Sequence, residues 1–168
     1  MAQGTSESQE SILPLKLPGI FLGVGLGGFF DGIFLHQLLQ WHHMFSSRIT
    51  VDTVPGLQMN TLGDGVFHTV TWVSVLIGLY ILYARVTESR RQVWGSSVLW
   101  AWILTGWGCF NLVEGILDHQ ILGLHHVRSG PHQFWWDMGF LAFGALLLAI
   151  GWQVRSTARR PGTGEQSS

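Results

Sequence analysis

Two stretches of the chain place imidazoles and carboxylic acids at matching intervals: Asp31, His36, His42 and His43 in DGIFLHQLLQWHH, and Glu114, His119, His125 and His126 in EGILDHQILGLHH. Aligned at a constant offset of 83, the two windows share seven identities and an Asp/Glu exchange, where ordinary residue frequencies give about one identity. Gly23 over Gly106 and Gly25 over Gly108 extend the match backward. Imidazole and carboxylate donors without thiolates suit Zn, Fe, Mn or Cu(II), and histidines on facing helices of a bundle can also hold a haem. The single cysteine, Cys109, lies in an apolar run and leaves no disulfide framework or cysteine-based zinc site within one chain.

The elements that must position these groups are membrane helices. Only 11% of residues are charged and 47% are hydrophobic, with nine tryptophans, against about 25% charged in soluble domains. Four stretches reach the roughly 20 residues that cross hydrocarbon: Leu17 to Trp41, Leu62 to Ala84, Val98 to Leu122 and Phe134 to Val154. The expected fold is all-α, a four-transmembrane-helix bundle of two tandem helical hairpins, 17–84 and 98–154, in a membrane domain spanning 14–156. Residues 1–13 and 157–168 read as disordered tails. The first ten residues lack a basic n-region, so no cleaved signal is expected. Two crossings per hairpin give both halves the same orientation, with a pseudo-axis along the membrane normal.

Basic residues gather at Lys16, at Arg85, Arg90 and Arg91, and at Arg155, Arg159 and Arg160, whereas the other two loops carry only Arg48 and Arg128. The positive-inside rule then makes both termini cytoplasmic. All eight histidines fall in the outward half. On ideal helices His36, His68 and His119 share one layer, with Asp64 one turn from His68 and Asp137 just above. Asp31 and Glu114 fall roughly 16 Å deeper than His42 and His125. A carboxylate at such depth must be protonated, hydrogen-bonded or bound to a cation.

For a nonhaem metal the expected ligands are His36, His68 and His119 with Asp64 or Asp137. Asp118, Gln37, Gln120, His43 and His126 are expected behind them, and the outer histidine pairs at the mouth of the site. For a haem, His36 with His119, or His42 with His125, gives an axial pair. Asp31 and Glu114 are the candidate proton-handling acids. Gly23-Val24-Gly25-Leu26-Gly27-Gly28 matches a dinucleotide fingerprint, but mid-span it reads as small-residue helix packing. Trp41, Trp94, Trp135 and Trp152 read as interface residues.

The segments GFFDGIFLHQLLQWHHM and FNLVEGILDHQILGLHHVRSGPHQFWWDMGF, with their two HQxLxxHH blocks, resemble a family of small bacterial predicted membrane proteins of unknown function. That resemblance covers the chain apart from its tails, and implies a four-span membrane protein. A looser similarity, in ligand type alone, is to the integral-membrane ceramidase-like hydrolases, whose zinc is held by three histidines near one face.

The leading expectation is therefore a membrane protein that binds a metal ion or haem, in respiratory redox chemistry or metal handling. A metal-dependent hydrolase of a lipid-like amide or ester comes second, and a proton or cation conduit third. Whether the chain is an enzyme stays open. The partner that composition implies is the lipid bilayer; a homo-oligomer or a membrane redox partner is left open. A net charge of -1 without basic clusters argues against nucleic acid.

Overall fold

The computed structural model describes residues 15–88 and 96–158. Four helical segments follow one another: α1 (Lys16–Phe30), α2 (Val54–Glu88), α3 (Ser96–Glu114) and α4 (Gln133–Ala158). Each of α1 and α3 continues without a break into a π-helical stretch, π1 (Asp31–Leu38) and π2 (Gly115–Ile121). With these extensions all four helices are long and apolar enough to cross a membrane. No strand occurs among the described residues.

α1 packs against both α2 and α3, and α3 against α4, so α1 and α3 form a central pair flanked by the other two. Glycine sets the central spacing. A Cβ on Gly23 would collide with the Ile103 carbonyl and the Gly106 backbone, and one on Gly106 with the Ile20 backbone. Backbone-to-backbone approach of this kind is how helices associate in lipid, where packing replaces the hydrophobic effect. Two positions on, Gly25 lies against Thr71 and Val75 of α2, and Gly108 against Gly144 and Leu148 of α4. The fingerprint-like Gly23–Gly28 run thus sits within α1 as a packing surface.

The π-helical ends of the first and third helices and the loops that follow them bring most of the histidines together at one end of the molecule. At the other, the Lys16 ammonium lies 5.8 Å from the Trp102 ring centroid and the Arg155 guanidinium 4.0 Å from it, while Arg155 also bonds Thr105. These are cation–π contacts that let long basic chains lie along apolar surface.

Several boundaries differ from those expected. α1 with π1 stops at Leu38, before Trp41, and α2 starts at Val54, eight residues ahead of Leu62. The chain between is held by Asn60, wholly buried, whose amide donates to the carbonyls of Ile49 and Gly56 while its oxygen accepts from the Phe45 N–H. α4 reaches Ala158, past the point where the tail was expected. Trp94, Arg90, Arg91, Arg159 and Arg160, the segment 1–14, and the tail beyond 158 lie outside the described residues.

The π-helical stretches end alike. Leu39 and Leu122 donate to the carbonyls five residues back, Phe34 and Leu117, and Trp41 and Leu124 to those six back, Leu35 and Asp118. This is a Schellman-type ending widened by one residue. The left-handed position is Gln40 in one hairpin (φ 49°) and Gly123 in the other (φ 55°). Glycine takes that conformation without the steric cost of about 1–2 kcal/mol that a Cβ brings. Gln40→Gly should therefore raise stability, by up to about 1 kcal/mol after the extra freedom of an unfolded glycine is subtracted; a rise in the thermal midpoint checks it, and an unchanged or lower midpoint contradicts it.

Candidate metal centre

A π-helix is rare, and a long one at the same place in two hairpins needs a reason. Asp31 and His36 are five residues apart, which on an α-helix separates them by about 140°. An i→i+5 ladder brings such a pair onto one face. In π1 the His36 Nε2 lies 3.1 Å from Asp31 Oδ2. The reversal after Gln40 then folds the chain back, so that His42 Nε2 comes to 3.9 Å from the same Asp31 oxygen. In the second hairpin His125 Nε2 lies 3.5 Å from Glu114 Oε1.

The expectation of a roughly 16 Å separation between these acids and His42 or His125, taken from the α-helical rise, is thus corrected. The helix neither stays α nor runs on to Trp41.

Six groups converge: Asp31, His36 and His42 from one hairpin, Glu114, His119 and His125 from the other. None is more than 4% exposed, so bulk water does not satisfy them. The His42 and His125 rings stack across the hairpin interface at 4.6 Å between centroids, and His36 and His119 stand edge-on at 4.3 Å to His42 and 4.9 Å to His125 respectively. Phe67 lies parallel to His36 at 5.6 Å, and Phe140 beside His119 at 5.3 Å. They form an apolar wall behind the cluster.

Three of the four imidazoles are held by a hydrogen bond at Nδ1, and the fourth, His119, only faces a carboxylate there without bonding it. His36 Nδ1 donates to Asp64 Oδ1 at 2.7 Å, and His119 Nδ1 faces Asp137 Oδ1 at 3.6 Å. His42 donates to the Val127 carbonyl at 2.8 Å and His125 to the Met44 carbonyl at 3.1 Å, so each hairpin holds a histidine of the other. Asp64 also accepts from His43 Nδ1 (2.6 Å) and the Met44 N–H (2.8 Å). Asp137 accepts from His126 Nδ1 (2.7 Å), the Val127 N–H (3.0 Å) and, at 3.4 Å, Gln120. Arg48 fastens the two loops by donating to the Leu122 and Gly123 carbonyls.

The opposite edges of the rings have no such partners. The Nε2 atoms of His36, His42, His119 and His125, and all four oxygens of Asp31 and Glu114, are buried without a hydrogen bond among the described residues. Even the 3.1 Å approach of His36 to Asp31 is not aligned as one. Burial, with His42, His119 and His36 alongside, pushes the His125 imidazole down to about 2. It is neutral at ordinary pH, and its Nε2 carries a free lone pair. Donor atoms lie mutually close in three overlapping triads: His36, His42 and His125; Glu114, His119 and His125; and Asp31, His36 and Glu114.

The structure thus distributes the sequence candidates into an inner and an outer set. His36 and His119 are inner, joined by His42, His125, Asp31 and Glu114. Asp64 and Asp137 lie behind the rings with His43 and His126, as hydrogen-bond acceptors. His68 is apart: its Nδ1 donates to the Asp64 backbone carbonyl one turn back, and its ring lies against Gly32. Gln37 and His132 are exposed, and Asp118 is half-buried below the cluster. Trp41 pairs with Trp136 at 5.0 Å under the Arg128 guanidinium, and Trp135 and Trp152 are exposed.

Residues 18–158 match the family described as Predicted membrane protein (DUF2243), and the chain belongs to that family of membrane proteins of unknown function. No curated protein and no solved structure matches it.

Proposed function

We propose that this integral membrane protein is a metalloprotein that holds two transition-metal ions side by side, one on Asp31, His36 and His42 and one on Glu114, His119 and His125. The observation that carries the reading is the set of eight buried donor atoms, four imidazole Nε2 and four carboxylate oxygens, all without protein hydrogen bonds, while the Nδ1 atoms behind them face carboxylates or backbone carbonyls. Histidine ligands of metals are held in this way, with the second nitrogen donating to an acceptor. Asp31 Oδ2 lies 3.1 and 3.9 Å from the Nε2 atoms of His36 and His42, and donor atoms of Glu114, His119 and His125 lie within 4.8 Å of one another, which supports one position in each hairpin.

Nitrogen and carboxylate donors suit Zn, Fe, Mn or Cu(II). Against a haem stands the direct stacking of His42 on His125 at 4.6 Å, which leaves no slot for a macrocycle between them. The distribution of basic residues supports a centre at the outer membrane face with the termini inside, and the family resemblance supports a bacterial inner membrane. The close Gly23–Gly106 crossing beneath favours access from one side over a through-going conduit. Redox chemistry or metal handling is the function this arrangement supports best.

Elemental analysis of the purified protein should find two metal ions per chain, and no Soret band. One ion per chain overturns the paired arrangement, and none overturns the metal reading. His36→Ala/His119→Ala should lower the load to a small fraction of wild type; a full load in that variant refutes the ligand assignment. Chelator-sensitive cleavage of a lipid amide would instead favour a hydrolase that uses a metal-bound water.

A further inference from the structure

The two hairpins differ beside their acids. Next to Glu114, a cavity of about 260 Å³ is lined by Val24, Phe67, Phe110, Val113, Leu117 and Asp118, with Cys109 at its edge. Val113 and Leu117 are 57% and 45% exposed, on a helix surface that the membrane reading turns toward lipid, so the cavity opens sideways. The positions 83 away differ. Trp107 stands where the cavity has Val24, Phe30 where it has Val113, Phe34 where it has Leu117, and Leu35 where it has Asp118. Phe30 stacks on Phe34 at 4.8 Å and lies 5.4 Å from Trp107, while Gly27 makes room for the indole. Three aromatic rings thus stand on the Asp31 side where the cavity beside Glu114 has Val24, Val113 and Leu117.

Asp31 and Glu114 both face the inner cluster, so metal binding by itself gives no reason for one side to be open. The open side is also more polar, because it gains Asp118. Glu114 directs Oε1 toward His125 and lines the cavity together with the half-buried Asp118. Carboxyl groups at the end of an apolar cleft are costly unless a donor reaches them.

We propose that this cleft is a lateral binding site for a lipid-soluble aromatic alcohol of the quinol class. The ring lies against the walls formed by Phe67 and Phe110, whose centroids are 6.0 Å apart, and one ring hydroxyl donates to Glu114 with Asp118 as a second acceptor nearby. The size agrees, since a cavity of about 150 Å³ already accepts benzene. Aromatic walls prefer an aromatic occupant in offset or edge-on contact. An acyl chain would fill the space but leave both carboxyl groups without a donor.

The test uses the full chain in detergent, with 2-decyl-1,4-benzoquinol and decylbenzene as probes in calorimetric titration. The quinol should bind saturably, and decylbenzene, which lacks the hydroxyls, at least about tenfold more weakly. Val113→Phe/Leu117→Phe, which copies the Asp31 side, should weaken quinol binding at least tenfold while the metal content stays at the wild-type level. Val24→Trp, copying Trp107, should do the same from the opposite wall. Equal affinity for the two probes shows a cleft that takes alkyl chains only, and overturns the proposal. So does undiminished quinol binding in both plugged variants. The site shares Glu114 with the proposed metal centre, but the outcomes are separable: wild-type protein without metal that binds quinol, and loses it on plugging, sinks only the metal centre.

Discussion

Asp64→Asn should lower metal affinity about 10- to 100-fold, the usual effect of losing a carboxylate behind a metal-bound histidine, although Asp64 touches no metal in the proposed arrangement. Its two oxygens accept from the His36 ring, the His43 ring and the Met44 N–H at once. An amide offers one acceptor oxygen and turns an NH2 group toward the remaining donors. The His36 ring then loses the bond that fixes its Nδ1–H tautomer, and with it the inward lone pair on Nε2. Asp137→Asn acts likewise through His126, the Val127 N–H and the longer His119 contact. The two carboxylates lie in different hairpins with no shared donor. Each serves a different one of the two proposed ions, so in the double variant both ions are expected to bind about 10- to 100-fold more weakly. Competition with a chelator of known affinity measures this. Affinity within twofold of wild type in the double variant would mean that the outer carboxylates do not hold the rings, and the division into inner and outer groups would fail.

That division shows where the sequence stopped being legible. Helix number and approximate spans follow from hydropathy, because every backbone polar group in hydrocarbon must be satisfied within its own helix. The packing role of Gly23 and Gly106 follows from their mid-span positions, where small residues allow backbones to touch. The site geometry was projected with 3.6 residues per turn, and there the projection failed. With an i→i+5 ladder from Asp31 to Leu38, Asp31 joins His36, and the reversal at Gln40 returns His42 to the same acid. Gly123 gives a visible signal for a left-handed ending, but Gln40 gives none, since glutamine rarely adopts it. Asp64 was expected among the ligands because it is one turn from His68. In the folded chain His68 turns back to its own helix, and Asp64 serves His36 and His43. Nothing in the local pattern around Asn60 marks a residue that ties down a loop 11 to 15 positions earlier.

Chelation should destabilise the protein by several kcal/mol, because a ligand bound only by the folded state adds about 4 kcal/mol at a concentration 1,000 times its Kd. The size of the effect also has a local origin. With no cation, two carboxyl groups and four imidazole edges face one another in a space that supplies no donors to the acids. Burying such groups unpaired costs far more than burying apolar side chains of the same volume. Metal binding and fold stability are therefore linked here, and the thermal midpoint should fall on chelation and recover when one cognate metal is restored. A second variant separates this from nonspecific chelator effects. Asp31→Leu/Glu114→Leu removes both inner acids and should abolish the metal-dependent shift, while its metal-free midpoint equals or exceeds that of metal-free wild type, as replacement of buried charges by apolar groups often gives. A wild-type midpoint indifferent to chelator would mean that the six inner groups satisfy each other without a cation. A double variant less stable than the metal-free wild type would mean that Asp31 and Glu114 serve the fold rather than a metal.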